Sequence, residues 1–252
     1  MFTVRHQKRG RLWNYLRFAY HAARGFRSWF GAFPRECSVC QHAGRFLAFG
    51  QPPRFDAMCP SCGSLERHRL LALWLQGQKK ALAGKTVLHF APEEVIGELL
   101  RDAGASYIDA DSAPGKAGRI LDLEDIDLAD ESIDIVLCSH VLEHVDDKRA
   151  LAEIRRVLSP GGQALLMFPI VEAWDQTLEE GPLTGSIDSK ADRVLYFGQH
   201  DHVRYYGRDV RDRISGAGFD LEEFVSREPE VSRFGLCRGE ALFIARKNPS
   251  SV

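Results

Sequence analysis

The stretch 132–147, SIDIVLCSHVLEHVDD, decides how the rest of the chain is read. Its first half, Ile133–Ser139, is a strongly apolar run of the kind a strand shows when both faces are covered. A polar segment follows, and then Asp147–Leu158, whose apolar residues recur at helical spacing. Ser159-Pro160-Gly161-Gly162 stops that helix, and Gln163–Pro169 (QALLMFP) is a second buried run. Strand, helix and strand in this order predict a parallel unit.

The same rhythm extends outward. Upstream lie Thr86–Phe90 (TVLHF), a helical Glu93–Ala103 ending at Gly104, a strand-like Ser106–Asp111 (SYIDAD) and a short third strand, Arg119–Leu123. Downstream, a long irregular stretch at 171–207 leads to a helix over Asp209–Gly216 and strands at Phe219–Val225 and Ala241–Arg246. The fold class is therefore α/β, a parallel sheet with helices on both faces. In such a sheet ligands bind beyond the carboxyl ends of the strands, at the switch point. Asp111, at the end of the second strand, is placed to accept hydrogen bonds from a ribose diol.

Ahead of the sheet stand Cys37-Ser-Val-Cys40 and Cys59-Pro-Ser-Cys62, two C-x2-C pairs at zinc-ribbon spacing. Four thiolates close a tetrahedral coordination sphere, so a zinc ion on Cys37, Cys40, Cys59 and Cys62 is read as structural. Pro52-Pro53 suits a loop between the halves, and Ser64 a cap for a helix through about Leu82, with Leu70, Leu71 and Trp74 toward a core and Gly84 at its end. Three parts are expected: a basic aromatic segment at 1–35, a zinc-ribbon module at 36–63, and a catalytic α/β domain at 64–252.

The 252 residues, 44% apolar and 27% charged, suit a globular protein able to bury a large core. The net charge is −2, but residues 1–35 carry eight basic side chains and no acid, so that segment is +8 and the remainder −10. Leu12, Leu16, Ala19, Ala23 and Phe26 would line one face of a helix there, packed on the protein's own surface or meeting nucleic acid or an anionic membrane. Six cysteines, four of them in the paired motif, do not resemble a secreted disulfide framework. Arginines interrupt every N-terminal apolar stretch, so neither a signal peptide nor a span is expected and a cytoplasmic location is.

Taken together, VLHFAPE (87–93), YIDADS (107–112), LDLEDI (121–126), SIDIVLCSHVLEHVDD (132–147) and RRVLSPGG (155–162) resemble a class I S-adenosylmethionine-dependent methyltransferase, type 11-like. The resemblance covers residues 86–170, more weakly to the end. It implies a Rossmann-like, seven-stranded sheet with the last strand antiparallel, and S-adenosyl-L-methionine as cofactor. It also implies roles: Asp111 on the ribose hydroxyls, Asp122 and Leu123 bordering the adenine, Ser139 and His140 near the methionine part and the acceptor, with Phe90, Ala91, Glu93 and Ser112 completing the cofactor-facing set. One departure stands out. The family's first loop is usually acidic and glycine-rich, whereas here it is His89-Phe90-Ala91-Pro92-Glu93, where Ala91 allows some backbone approach and Pro92 removes a donor. Glu93 reads either as a group reaching a cofactor amine or as a helix cap.

His140-Val-Leu-Glu143-His144 also fits H-x-x-E-H, an inverted zinc-protease signature. That motif needs a long helix, and here it leaves a strand, so a protease is set aside and His144 read as a hydrogen-bonded structural histidine. Cys138 reads as core; Cys237 has no partner in the pattern. In Phe197–Gly207 an extended chain would put His200, His202 and Arg204 on one face. An imidazole beside a guanidinium suits an acceptor carrying a carboxylate or phosphate; the other reading is a lid closed by hydrogen bonds. His140 or His202 is the expected base, and His200, Arg204 and Tyr206 the expected substrate contacts. The favoured function is methylation of a small-molecule or saccharide acceptor on oxygen or nitrogen. The alternatives are an rRNA methyltransferase using zinc module and basic tail, and a non-enzymatic module that has lost its cofactor.

Overall fold

The computed structural model of the protein describes residues 11–28, 30–50, 52–179, 187 and 189–248. The first ten residues of the basic segment, and 180–186 and 188 of the long loop, lie outside the described residues. Helix α1 (Arg11–Ser28) precedes three antiparallel strands in the order β1 (Phe30–Glu36), β2 (Ala43–Phe49) and β3 (Arg54–Met58), with Pro52 and Pro53 in the turn between the last two. This small sheet begins at Phe30, inside the segment read from sequence as the basic tail. Within α1 the side chains of Leu16, Ala19 and Ala23 are exposed, so this part of the predicted apolar face is not packed on the protein.

Helices α2 (Glu66–Gly77) and α3 (Lys79–Leu82) lead into the main sheet. Its elements are β4 (Thr86–Phe90), α4 (Glu94–Asp102), β5 (Ser106–Asp111), β6 (Arg119–Ile120), β7 (Ile133–Ser139), a 3-10 turn at Leu142–His144, α5 (Asp147–Val157) and β8 (Leu158–Met167). After them come α6 (Lys190–Phe197), α7 (Val210–Gly216), β9 (Phe219–Val225), α8 (Glu230–Phe234) and β10 (Ala241–Lys247). The seven-stranded order is β6-β5-β4-β7-β8-β10-β9, with β10 antiparallel to both neighbours, as the resemblance implied.

Period-two alternation splits each central strand between two cores. Val136 and Cys138 face one cluster, with Leu151 and Ile154 of α5; Ile135 and Leu137 face the other, with Leu71 and Trp74 of α2 and Ile96 and Leu100 of α4. Burying each such leucine or isoleucine is worth about 1.5–3 kcal/mol. Helix α2 is thus a layer of the main sheet as well as the continuation of the cysteine module.

Four local readings are corrected. Ser64 does not cap α2; Leu65 occupies the cap, its N–H donating to His68 Nδ1 at 3.1 Å, while the Ser64 hydroxyl lies 3.2 Å from the sulfurs of Cys37 and Cys62. Ser159-Pro-Gly-Gly162 is not a free turn but a bulge in β8: Leu158 pairs with Ile133 and Gln163 already with Ile135. The third strand ends at Ile120, and Asp122 instead bridges Asp125 across a tight turn. The stretch 171–207 contains α6, capped by Ser189, whose Oγ accepts from Asp192 N–H, and closed by Gly198 in the left-handed region.

Candidate functional site

The order of the sheet reverses between β4 and β7, and a residue after each strand turns sharply. Ala91 takes φ +46° and His140 φ +56°. Both are non-glycine residues in the left-handed region, a conformation costing about 1–2 kcal/mol per residue. Backbone bonds hold them there: Ala91 N–H donates to Ala110 O at 2.9 Å, and His140 N–H to Met167 O at 2.7 Å. The glycine-poor first loop therefore keeps the left-handed turn a glycine would have supplied.

Around this point the sequence-predicted cofactor residues gather. Phe90 is buried under the loop, and Ser139, at the end of β7, is buried with its hydroxyl unpaired among the described residues. Asp111 ends β5, and its Oδ1 accepts Ala113 N–H at 2.8 Å. Exposed Ser112 follows it directly. Asp122 Oδ1 accepts Glu124 N–H at 2.9 Å, and Leu123 is buried beside it. An unpaired hydroxyl at one strand end and a carboxylate at another fit an adenosine-bearing cofactor with a charged methionine part.

Glu93 behaves differently. Its Oε2 lies 3.0 Å from His89 Nε2, and its Oε1 lies 3.4 Å from His68 Nε2 and 3.6 Å from Arg67 Nε. Burial pushes the carboxyl up, but the two histidines outweigh it and hold the pKa well below the usual carboxylate range. No side-chain cap bond is made by Glu93. Its charge ties the first loop to α2, and its oxygens are spoken for by the protein.

Beyond β8 and β10 lies a cavity of about 320 Å³, lined among others by His140, Met167, Phe168, Glu172, Cys237 and Glu240. His140 is one-third exposed there (34%). Burial pushes the Glu240 carboxyl up to about 7, so it exchanges a proton near neutral pH. Sequence reasoning passed over Glu240; its one signal was position, immediately before the last strand and so at the same end of the sheet as the parallel carboxyl ends.

The segment after α6 alternates as an extended chain should, but its common face points inward. His202, Arg204 and Tyr206 are all buried, whereas His200 is exposed. Arg204 donates to Leu142 O at 2.8 Å, to Val145 O, and to Glu179 Oε1 at 2.8 Å. Tyr206 OH is 3.2 Å from Leu142 O and from Asp147 Oδ2, which also accepts from Arg213 at 3.0 Å. The polar groups of Arg204 and Tyr206 thus anchor the loop after β8 onto the 3-10 turn; they are not turned to the cavity that His140 lines. His202 also lies outside that lining, its ring edge-on to His144 with centroids 4.7 Å apart.

The four cysteines converge as their spacing predicted. Cys37 and Cys62 sulfurs are 3.7 Å apart, Cys40 and Cys59 likewise, and all four lie within 4.8 Å of one another. Each pair opens an equivalent knuckle: Gln41 N–H donates to Cys37 O and Gly63 N–H to Cys59 O, with Gln41 and Gly63 both at positive φ. Four sulfurs so grouped without a disulfide fit a tetrahedral zinc ion. Arg69, fully buried, locks this module down: it donates to Ala57 O and Ser64 O in the module and to Phe234 O and Gly235 O at the C-terminal side. Cys237 approaches Glu66 Oε1 at 3.8 Å, and Cys138 is core.

Residues 87–166 match the methyltransferase domain family. An uncharacterised methyltransferase of Mycobacteroides abscessus is 32% identical over 178 residues, 62% of this chain and 64% of that protein. The chain thus spans somewhat under two thirds of that relative's length. The [4+2]-cyclase SpnF superposes with a TM-score of 0.51 at 16% identity, covering 74% of this chain and 84% of that one. An S-adenosylmethionine-dependent methyltransferase from Mesorhizobium loti gives a TM-score of 0.49 at 19% identity, over 71% of this chain and 98% of that one. A cyclase on the same fold illustrates that fold and reaction are separate questions.

Proposed function

We propose that this chain is a class I methyltransferase and transfers a methyl group from S-adenosyl-L-methionine to a small-molecule or saccharide acceptor, a reading its sheet order and matched domain support. The observation that carries the reading is the pairing of the two left-handed turns at Ala91 and His140 with Asp111 at the neighbouring strand end, beside the cavity that His140 lines. Asp111 holds the ribose hydroxyls, Phe90, Ala91, Ser112, Asp122 and Leu123 border the nucleoside, and Ser139 donates to the methionine part. When bound, the cofactor supplies an activated methyl group on a sulfonium. The protein's share is alignment and exclusion of water, worth up to about 7–11 kcal/mol. The acceptor's proton leaves toward His140, which lines the cavity together with Glu240, for a further factor of roughly 10²–10⁴. The domains act as a zinc-stapled ribbon over 36–63, extended by β1, and a catalytic unit over 64–252, with the zinc on Cys37, Cys40, Cys59 and Cys62.

Calorimetry with S-adenosylhomocysteine tests the cofactor site; no heat from protein that retains its zinc would refute the reading and leave a metal-clipped scaffold. Turnover of His140→Ala and His202→Ala at saturating cofactor, over about pH 6 to 9, tests the base. Near-normal turnover of His140→Ala would remove it; His202→Ala, at a ring outside the cavity lining, is the comparison.

A second reading, an rRNA methyltransferase, draws on α1, where Tyr15, Leu16 and Phe18 are exposed beside Arg17 in a basic segment. Filter binding of rRNA fragments across salt decides it. Among the described residues no helix is long and apolar enough to cross a membrane.

A further inference from the structure

The 3-10 turn that follows β7 holds the least satisfied acid described in the molecule. Glu143 is fully buried, and neither carboxyl oxygen has a hydrogen-bond partner among the described residues. Leaving such a group unpaired costs on the order of 1–3 kcal/mol or more. The nearby guanidinium of Arg204 is committed to Leu142 O, Val145 O and Glu179. His140 Nδ1 comes to 3.2 Å of Glu143 Oε1 without hydrogen-bond geometry.

Two imidazoles face this carboxyl. His144 Nδ1 lies 3.1 Å from Asp201 O, which fixes the ring and leaves its other nitrogen as a lone-pair donor. A backbone acceptor behind the ring is the usual way a metal-bound histidine is oriented. Val203 N–H donates to Glu143 O at 2.9 Å, pinning the returning loop to the turn and bringing His202 over it. His202 Nδ1 is buried and unpartnered among the described residues. One ligand atom from each of Glu143, His144 and His202 lies within 4.8 Å of the others.

We propose that Glu143, His144 and His202 form a second metal centre, which binds a divalent first-row cation. Two imidazoles and one carboxylate are the donor set of open zinc, manganese, cobalt and iron(II) sites, in contrast to the closed four-cysteine cluster. Three protein ligands leave coordination positions free for water or for an acceptor oxygen. His140 stands against Glu143 and lines the acceptor cavity, so the cation lies next to where a hydroxylated acceptor would be held. That last role rests on the methyl transfer proposed above; the metal binding does not. The H-x-x-E-H stretch thereby regains a metal-binding sense without a protease helix, through its Glu-His half and a histidine from the loop after α6.

The test uses the full chain carrying one zinc per molecule on its cysteines. Mn²⁺ is added, and the free ion followed by electron paramagnetic resonance, with S-adenosylhomocysteine calorimetry on the same preparation. One Mn²⁺ per chain is expected, with affinity reduced at least tenfold in Glu143→Gln and in His202→Ala and zinc content unchanged. Melting in a weak chelator supplies a second readout: Mn²⁺ raises the midpoint of the wild type but not of Glu143→Gln, and His144→Gln serves should that variant fail to fold. Absence of Mn²⁺, Co²⁺ and additional Zn²⁺ binding at about 1 mM, or binding that these variants leave unchanged, overturns the proposal. Metal binding without S-adenosylhomocysteine binding would keep the centre and refute the methyl transfer.

Discussion

Nε2 of His89 lies 3.0 Å from Oε2 of Glu93, so the last turn of β4 and the entry to α4 are tied by charge where a glycine-rich loop would have been. His68 and Arg67 approach the same carboxylate from α2. The folded Glu93 titrates well below its unfolded value of about 4.3, so the stability it contributes is complete above that value and is lost as pH falls below it. Glu93→Gln is expected to lower stability at pH 7 by about 1.5–3 kcal/mol and to flatten the acid limb of a midpoint-against-pH curve below about pH 4.5. An unchanged acid limb would show that the ion pair does not form.

Glu240 has the opposite sign. Its folded pKa, about 7, lies above the unfolded one. Its contribution is complete below the unfolded value and fades as pH rises through about 7, because ionisation favours the unfolded chain. Glu240→Gln is expected to be more stable than the wild type at about pH 8, by roughly 1–3 kcal/mol, with little difference at about pH 5. Chemical denaturation at the two pH values decides it.

Asp111 accepts one local backbone bond, so its replacement spares the fold. Asp111→Ala is expected to weaken S-adenosylhomocysteine binding about 10–100-fold, the worth of a charge-assisted bond of about 1.5–3 kcal/mol, with an unchanged melting midpoint. Equal affinity in the two proteins would exclude the ribose role.

Ala91 pays for its left-handed turn in strain, at φ +46°. Ala91→Gly is expected to raise stability by about 1 kcal/mol, read from equilibrium denaturation.

Arg69 donates to five carbonyls on two sides of an interface, those of Asp56, Ala57 and Ser64 on one and of Phe234 and Gly235 on the other. Arg69→Met leaves those acceptors buried and unpaired, for an expected loss of about 3–5 kcal/mol. Cys59→Ser is expected to lose the zinc equivalent measured by elemental analysis, and to open the ribbon to proteolysis ahead of the main sheet.

The main sheet was legible because its central strands are covered on both faces: runs such as Ile133–Ser139 have one physical explanation. The cysteine module was legible from spacing alone. The small sheet's start at Phe30 was not, since Phe30–Glu36 contains Gly31 and Pro34 and reads as loop. Helix α6 carried a signal that went unread, Ser189 three residues ahead of Asp192 with Gly198 behind. Which way a face turns was the main loss: the alternation at 202–206 is real, but whether it meets a ligand or the 3-10 turn depends on Asp147, Glu179 and Leu142, distant in sequence. The burial of Glu143 and Glu240 was not legible for the same reason, because burial of a charge is a property of the packed molecule.

The guanidinium of Arg69 finds its acceptor on Phe234 only 165 residues later in the chain. During synthesis the cysteine module leaves the ribosome long before that acceptor exists. The module must therefore stay undocked from the Phe234 side until at least that much of the chain has emerged. The chain thereby sets an order of events: the local contacts of Arg69 with Ala57 O and Ser64 O come first, and closure onto Phe234 and Gly235 follows.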